Sequence, residues 1–74
     1  MIMIDQTILV VEDDQMIRQL IKIYLEKNQF DVIEAADGEE AKEAFLDHHP
    51  CLVILDLMLP KVSGEEFCQW MKGQ

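Results

Sequence analysis

Basic residues are scarce in this sequence, and their scarcity excludes several kinds of partner. Six Lys and Arg residues stand against fifteen Asp and Glu residues, so the formal net charge is −9. A surface this acidic repels the phosphates of nucleic acids and of anionic lipids. We therefore expect no direct binding to nucleic acid or to a membrane, and we expect a cation or a basic protein surface as the partner.

Cysteine is also scarce, and the two cysteines present do not form a disulfide framework. Cys51 begins a predicted buried strand and Cys68 falls within a predicted helix, so both are interpreted as reduced core thiols. His48 and His49 are adjacent in the sequence, and no second pair of ligands has the spacing of a structural zinc site. The sequence therefore favours a fold without disulfide or zinc support.

Long apolar runs are missing too. No run approaches the ~18 residues that a membrane-spanning helix needs. The apolar start at residues 1–4 is shorter than a signal peptide and lacks its basic flank. Half of the 74 residues are nevertheless apolar, which excludes a disordered tail. We expect a cytoplasmic chain with a single small domain over residues 1–74.

Two short apolar runs that end in acids organise the rest of the chain. Thr7–Val11 leads into three acids at residues 12–14, and Leu52–Leu55 leads into Asp56. Uninterrupted aliphatic runs of this length are typical of buried strands in a parallel sheet. A weaker strand is predicted around Val32, where acids interrupt the run, and this pattern favours a sheet edge.

A helical segment follows each predicted strand. Residues 15–27 carry apolar side chains at positions 17, 20, 21 and 24, which is the spacing of a helix with one buried face. Arg18 and Lys22 are placed on its solvent side. Asp37 and Ser63 are the predicted caps of the two later helices, each with a Glu three residues on.

Strand and helix alternate three times, which predicts an α/β fold with a parallel sheet and crossover helices. Right-handed crossovers, with the weakest strand at an edge, favour the strand order 2-1-3. This order puts the first helix on one face of the sheet and the other two on the opposite face. It also makes the first and third strands neighbours, with their carboxyl ends at the rim where open α/β sheets bind ligands.

Glu12, Asp13 and Asp56 should meet at this rim, although more than forty residues separate them in the sequence. Crowded carboxylates repel one another unless a proton or a cation lies among them, and carboxylates with room for water suit Mg²⁺. A carboxylate can also act as a nucleophile towards phosphorus. The alternative is a solvated helix start and a turn residue. It is the better interpretation of either cluster alone, but not of both on adjacent strands.

Residues 8–14 and 52–64 resemble the signature stretches of the receiver domain of bacterial two-component response regulators. Pro60 and Gly64 stand four and eight residues after Asp56, as in that family, and residues 35–41 are similar to the stretch after its second strand. The acids at residues 12–14 look most like those of regulators that carry a DNA-binding output domain. The resemblance covers the chain from about Thr7 to its end.

The resemblance implies a flavodoxin-like receiver fold and a role in phosphorelay signalling rather than an enzyme. It implies that Asp56 accepts a phosphoryl group from the phosphohistidine of a sensor histidine kinase. It also implies that Asp13, Asp56 and the backbone carbonyl of Met58 bind Mg²⁺ directly, while Glu12 holds the ion through water. Asp14 carries no role by this resemblance.

The family domain has five βα units and this sequence has three, so we expect a truncated receiver fold. Strand Cys51–Leu55 is then an exposed edge, a template for pairing with another chain. Lys61 follows Asp56 in the loop and is not the counterpart of the family's active-site Lys. One alternative function is therefore a non-phosphorylatable module that dimerises through this strand. A haloacid-dehalogenase-like phosphatase is disfavoured because Met58 stands where that class needs a second Asp.

Overall fold

Strand β1 (Thr7–Val11) lies in the middle of a three-stranded parallel sheet whose order is β2-β1-β3. Strand β2 spans Asp31–Ala35 and β3 spans Leu52–Leu55. The structure, a computed structural model, describes residues 6–55 and 64–74. The predicted α/β class and the strand order 2-1-3 are both confirmed, and the interrupted strand β2 lies at an edge of the sheet as expected.

The register of the sheet brings the ends of all three strands to one level. Val11 lies opposite Ala35 on β2 and opposite Leu55 on β3. The backbone N–H of Glu12 extends the pairing by one step, because it donates to the carbonyl of Ala35 over 3.1 Å. The first residues beyond β1 are therefore held against the sheet.

The side chains of β1 alternate between two separate cores. Ile8 and Val10 face α1 (Gln15–Lys27), whereas Leu9 and Val11 face α2 (Gly38–His48) and α3 (Gly64–Lys72). All four are at most 2% exposed. Burying a side chain of this size contributes about 1.5–3 kcal/mol, so β1 is the main apolar element of both cores. The predicted placement of the helices on opposite faces is confirmed.

Three aromatic rings join α2 to α3. Phe67 is fully buried and stacks on Trp70 at a centroid distance of 5.7 Å, and Phe45 meets the edge of both rings. The Lys42 ammonium lies 5.6 Å from the Trp70 ring centroid, within cation–π range.

In the described part of the chain, no helix has the length and apolar character needed to cross a membrane.

The cap predicted for α2 is present. Asp37 accepts a hydrogen bond from the Glu40 backbone N–H over 2.9 Å. The Glu40 carboxylate reaches back to the N–H of Ala36 over 2.8 Å, one residue before the cap. The box predicted at Ser63 lies outside the described residues.

The buried face predicted for α1 is wrong at three of its four positions. Leu20 and Tyr24 are 66% and 68% exposed, and Ile17 is 46% exposed. Only Ile21 packs on the sheet as predicted, and Leu25 lies beside it in the same core. Alone on its face among the described elements, α1 packs through one strip on Ile8 and Val10 of β1 and on Val32 of β2, so most of its apolar residues remain in contact with solvent.

Strand β3 is less buried than its composition predicts. Leu52 is 53% exposed, and the other three residues of the strand are half-buried. Cys51 is exposed rather than a core thiol, with its Sγ 3.2 Å from the carbonyl oxygen of Thr7. The reason is position, since β3 is an edge strand among the residues that the structure describes.

The end of α1 is a complete Schellman motif with an unusual residue at its key position. The N–H of Gln29 donates to the carbonyl of Glu26, and the N–H of Phe30 donates to that of Leu25. Phe30 also packs with Leu25 in the same core. Gln29 adopts φ 71°, the left-handed region in which glycine is favoured. This turn leads the chain into β2.

We expect Gln29→Gly to stabilise the protein by about 1 kcal/mol, because glycine adopts the left-handed conformation without the clash of a Cβ. Urea unfolding followed by circular dichroism measures the change. Asn28→Gly is the matched control. Asn28 has φ −96° and its side chain donates to the Tyr24 carbonyl, so glycine should destabilise there. Equal effects at the two positions would contradict the assignment.

Candidate functional site

The candidate site begins where β1 ends, at Glu12. Both backbone groups of this residue are bonded: the N–H donates to Ala35, and the carbonyl accepts from Arg18 Nη1 over 2.8 Å. Its carboxylate Oε1 accepts the backbone N–H of Asp14 over 3.1 Å. Glu12 is also half-buried, so these bonds hold its backbone in place at the rim of the sheet.

The two aspartates that follow have different roles. Asp14 is the N-cap of α1, and its Oδ1 accepts from the N–H groups of Met16 and Ile17 over 2.9 and 3.1 Å. Asp13 is exposed, and its carboxylate has no hydrogen-bond or salt-bridge partner among residues 6–55 and 64–74. The carboxylate of Asp13 is therefore available to a ligand, while that of Asp14 is committed to the helix.

A cluster of charges that sequence reasoning missed supports this rim from α1 and β2. Glu34 accepts from Arg18 Nε over 3.2 Å and from Lys22 Nζ over 3.3 Å. Arg18 is only 16% exposed in its side chain, so its predicted solvent-facing position is wrong. The available signal was Glu34 itself, a charged residue within a strand, with two bases four residues apart on the preceding helix.

The predicted site residues fall partly outside what the structure describes. Asp56 and Met58 lie in the segment 56–63, so their roles stay predictions. No group of three or more His, Cys, Asp or Glu among the described residues is placed to hold a metal ion. The structure does place the last residue of β3, Leu55, opposite Val11. The chain segments that carry Glu12, Asp13 and Asp56 thus leave the sheet from paired positions.

The side chains of Glu12 and Asp13 offer only carboxylate oxygens as ligands to a metal ion. Carboxylate oxygens with access to solvent suit hard divalent cations such as Mg²⁺, which keep several waters and use few protein ligands. The exposed Asp13 carboxylate meets this requirement, and the half-buried Glu12 lies beside it. The residues present therefore fit a hydrated divalent cation.

Comparison with known proteins agrees with this geometry. The family model for the response regulator receiver domain matches residues 8–74. The chain is 43% identical over 70 residues to the alkaline phosphatase synthesis transcriptional regulatory protein PhoP of Bacillus subtilis, covering 95% of this chain and 29% of that protein. The chain thus spans less than a third of the length of this relative.

Solved receiver domains share the fold. The BeF3-activated N-terminal receiver domain of Klebsiella pneumoniae RstA matches with a TM-score of 0.89 and 39% identity, covering 93% of this chain and 59% of that one. The response regulator TrrA of Thermotoga maritima, in complex with Mg(2+)-BeF, matches with a TM-score of 0.87 and 37% identity, covering 92% and 59%. The flavodoxin-like receiver fold is confirmed.

These matches give no support to a non-phosphorylatable assembly module or to a phosphatase of the haloacid-dehalogenase type. They agree with the sheet order and the helix placement. The chain belongs to the family of response regulator receiver domains, which act in two-component signalling.

Proposed function

We propose that this domain is a phosphoacceptor, with Asp56 receiving a phosphoryl group from the phosphohistidine of a sensor histidine kinase. Family membership supports the reaction class. The observation that carries the proposal is the β1–β3 register, in which Val11 pairs with Leu55. The residues that follow these two in the sequence are the acids Glu12-Asp13 and the acceptor Asp56.

The reaction is a displacement at phosphorus. A carboxylate oxygen of Asp56 attacks the phosphorus atom, a P–O bond forms, and the P–N bond to the kinase histidine breaks. The electron pair of that bond goes to the imidazole nitrogen, which takes a proton from water, so the histidine leaves as neutral imidazole. The product is an aspartyl phosphate on this chain and a free histidine on the kinase.

The residues that would hold Mg²⁺ are Asp13, Asp56 and the backbone carbonyl of Met58, with Glu12 acting through water. When bound, the ion supplies positive charge that offsets the oxygens of the incoming phosphoryl group. Support comes from the Asp13 carboxylate, which has no partner among residues 6–55 and 64–74, and from the similar TrrA protein, which is complexed with Mg(2+)-BeF.

Incubation with a small phosphodonor and Mg²⁺ tests the acceptor. We expect intact-mass spectrometry to show a gain of about 80 Da, one phosphoryl group. Asp56→Asn should abolish this gain, because an amide oxygen is a much weaker nucleophile than a carboxylate. Asp47→Asn, at an exposed position on α2, is the control and should react like the wild type. A gain that persists in Asp56→Asn would place the acceptor elsewhere.

The division between Asp13 and Asp14 gives a second prediction. Each Asp→Ala change removes one negative charge. Asp13→Ala should lower Mg²⁺ affinity at least tenfold through loss of a ligand, with little loss of stability. Asp14→Ala should destabilise the fold by about 1 kcal/mol through loss of the cap, with affinity within about threefold of wild type.

Magnesium titration followed by backbone amide shifts measures the affinities, and urea unfolding measures the stabilities. If Asp14→Ala weakened Mg²⁺ binding as much as Asp13→Ala, the roles assigned to the two carboxylates would be wrong.

Self-association through strand Cys51–Leu55 is a further part of the proposal. Among the described residues β3 pairs only with β1, and Leu52 is 53% exposed. An open edge with an apolar side chain favours strand addition.

The same proposal places the domain in the cytoplasm. The net charge of −9 disfavours direct contact with nucleic acid or membranes.

We expect light scattering at micromolar concentration to give at least twice the 8.6 kDa chain mass. Leu52→Lys should shift the protein towards monomer, because a charge on an edge strand opposes pairing. Leu46→Lys is the matched control, since Leu46 is 51% exposed but lies on α2. A monomeric wild type would remove this part of the proposal.

A further inference from the structure

Arg18 connects three elements at the rim of the sheet. From α1, its Nη1 donates to the Glu12 carbonyl over 2.8 Å and its Nε pairs with Glu34 on β2 over 3.2 Å. The bond to Glu12 is part-buried, and the side chain is 16% exposed. A planar guanidinium holds two acceptors in fixed directions, which a single ammonium does not.

Lys22 offers an internal comparison. It lies one helical turn after Arg18 and pairs with the other oxygen of Glu34 over 3.3 Å. Its side chain is 36% exposed, and its hydrogen bond goes to Glu34 and not to Glu12. The two bases therefore share one carboxylate, but only Arg18 reaches the end of β1.

The bond to the Glu12 carbonyl has a consequence for Asp13. A peptide unit is planar, so the carbonyl of Glu12 and the N–H of Asp13 belong to one rigid plane. Ala35 fixes the N–H of Glu12 on the other side of the same residue. With both bonds made, the direction in which the chain enters Asp13 is set by the sheet and by α1 together.

We propose that Arg18 is a positioning residue that orients the Glu12–Asp13 peptide and thereby prepares the Asp13 carboxylate for a divalent cation. In its metal-binding consequence, this inference rests on the proposed Mg²⁺ site. The charge of Arg18 and its positioning role predict opposite effects of its removal on Mg²⁺ affinity. A cationic side chain near a metal site repels the ion, so removing it for its charge alone would strengthen binding. Removing the positioning bond weakens binding instead.

The test compares Arg18→Met with Lys22→Met. Each variant loses one positive charge and one bond to Glu34, and only the first loses the bond to Glu12. We expect amide-shift titration with Mg²⁺ to give a dissociation constant about tenfold higher for Arg18→Met, the size of effect seen when partners that orient metal ligands are removed. Lys22→Met should bind as tightly as wild type or more tightly. Equal affinity in the two variants would overturn the inference.

A second measurement needs no metal. In Arg18→Met we expect the amide signals of Asp13 and Asp14 to move and to exchange faster with solvent, while Lys22→Met leaves them in place. The amide signals therefore test the positioning role of Arg18 separately from the proposed Mg²⁺ site. A wild type without any response to Mg²⁺ would contradict the proposed metal site, and the amide comparison would still decide the role of Arg18. Unchanged amide signals of Asp13 and Asp14 in Arg18→Met would overturn the positioning role of Arg18.

Arg18→Lys serves where the Met variant does not fold. Lysine keeps the charge and can pair with Glu34, but one ammonium cannot hold both acceptors in the directions of the guanidinium. We expect weakened Mg²⁺ binding in Arg18→Lys with circular dichroism like that of the wild type. Full recovery of affinity by lysine would mean that charge, not position, is what Arg18 provides.

Discussion

The pairing of β1 on both sides is the constraint on which the rest of the molecule depends. Its four buried residues alternate between two cores, so α1 is held on one face and α2 with α3 on the other. A single strand thus links every described element of a chain of 74 residues. Because the apolar area of so small a domain is limited, this sharing allows two thin cores to form one cooperative unit.

The same constraint builds the functional rim. Parallel strands in register end at one level, and here Val11 lies beside both Ala35 and Leu55. The first residue beyond β1, Glu12, is then bonded on both sides, by Ala35 and by Arg18. Asp14 is taken up by the start of α1. Of the three adjacent acids, only Asp13 has a carboxylate without a partner among the described residues.

Local sequence patterns predicted the elements but misplaced the buried face of α1. In α1, residues 17, 20, 21 and 24 have helical spacing, but a narrow sheet can cover only one strip of the helix. Ile21 and Leu25 occupy that strip, and Arg18 and Lys22 border it because Glu34 on β2 holds them there. The register of a helix against a sheet depends on contacts between segments that are distant in the chain, and no periodicity within α1 contains them.

The sequence by itself determined the strands, the cap at Asp37, the strand order and the identity of the acids, because these follow from short-range patterns and from the handedness of crossovers. Tertiary structure alone decided how those acids are used. It engages the Glu12 carbonyl through Arg18 and the Glu12 carboxylate through the N–H of Asp14, it commits the Asp14 carboxylate to a helix terminus, and it leaves the Asp13 carboxylate without a partner among the described residues. Three consecutive carboxylates look alike in a sequence, and only the bonds made by their neighbours distinguish them.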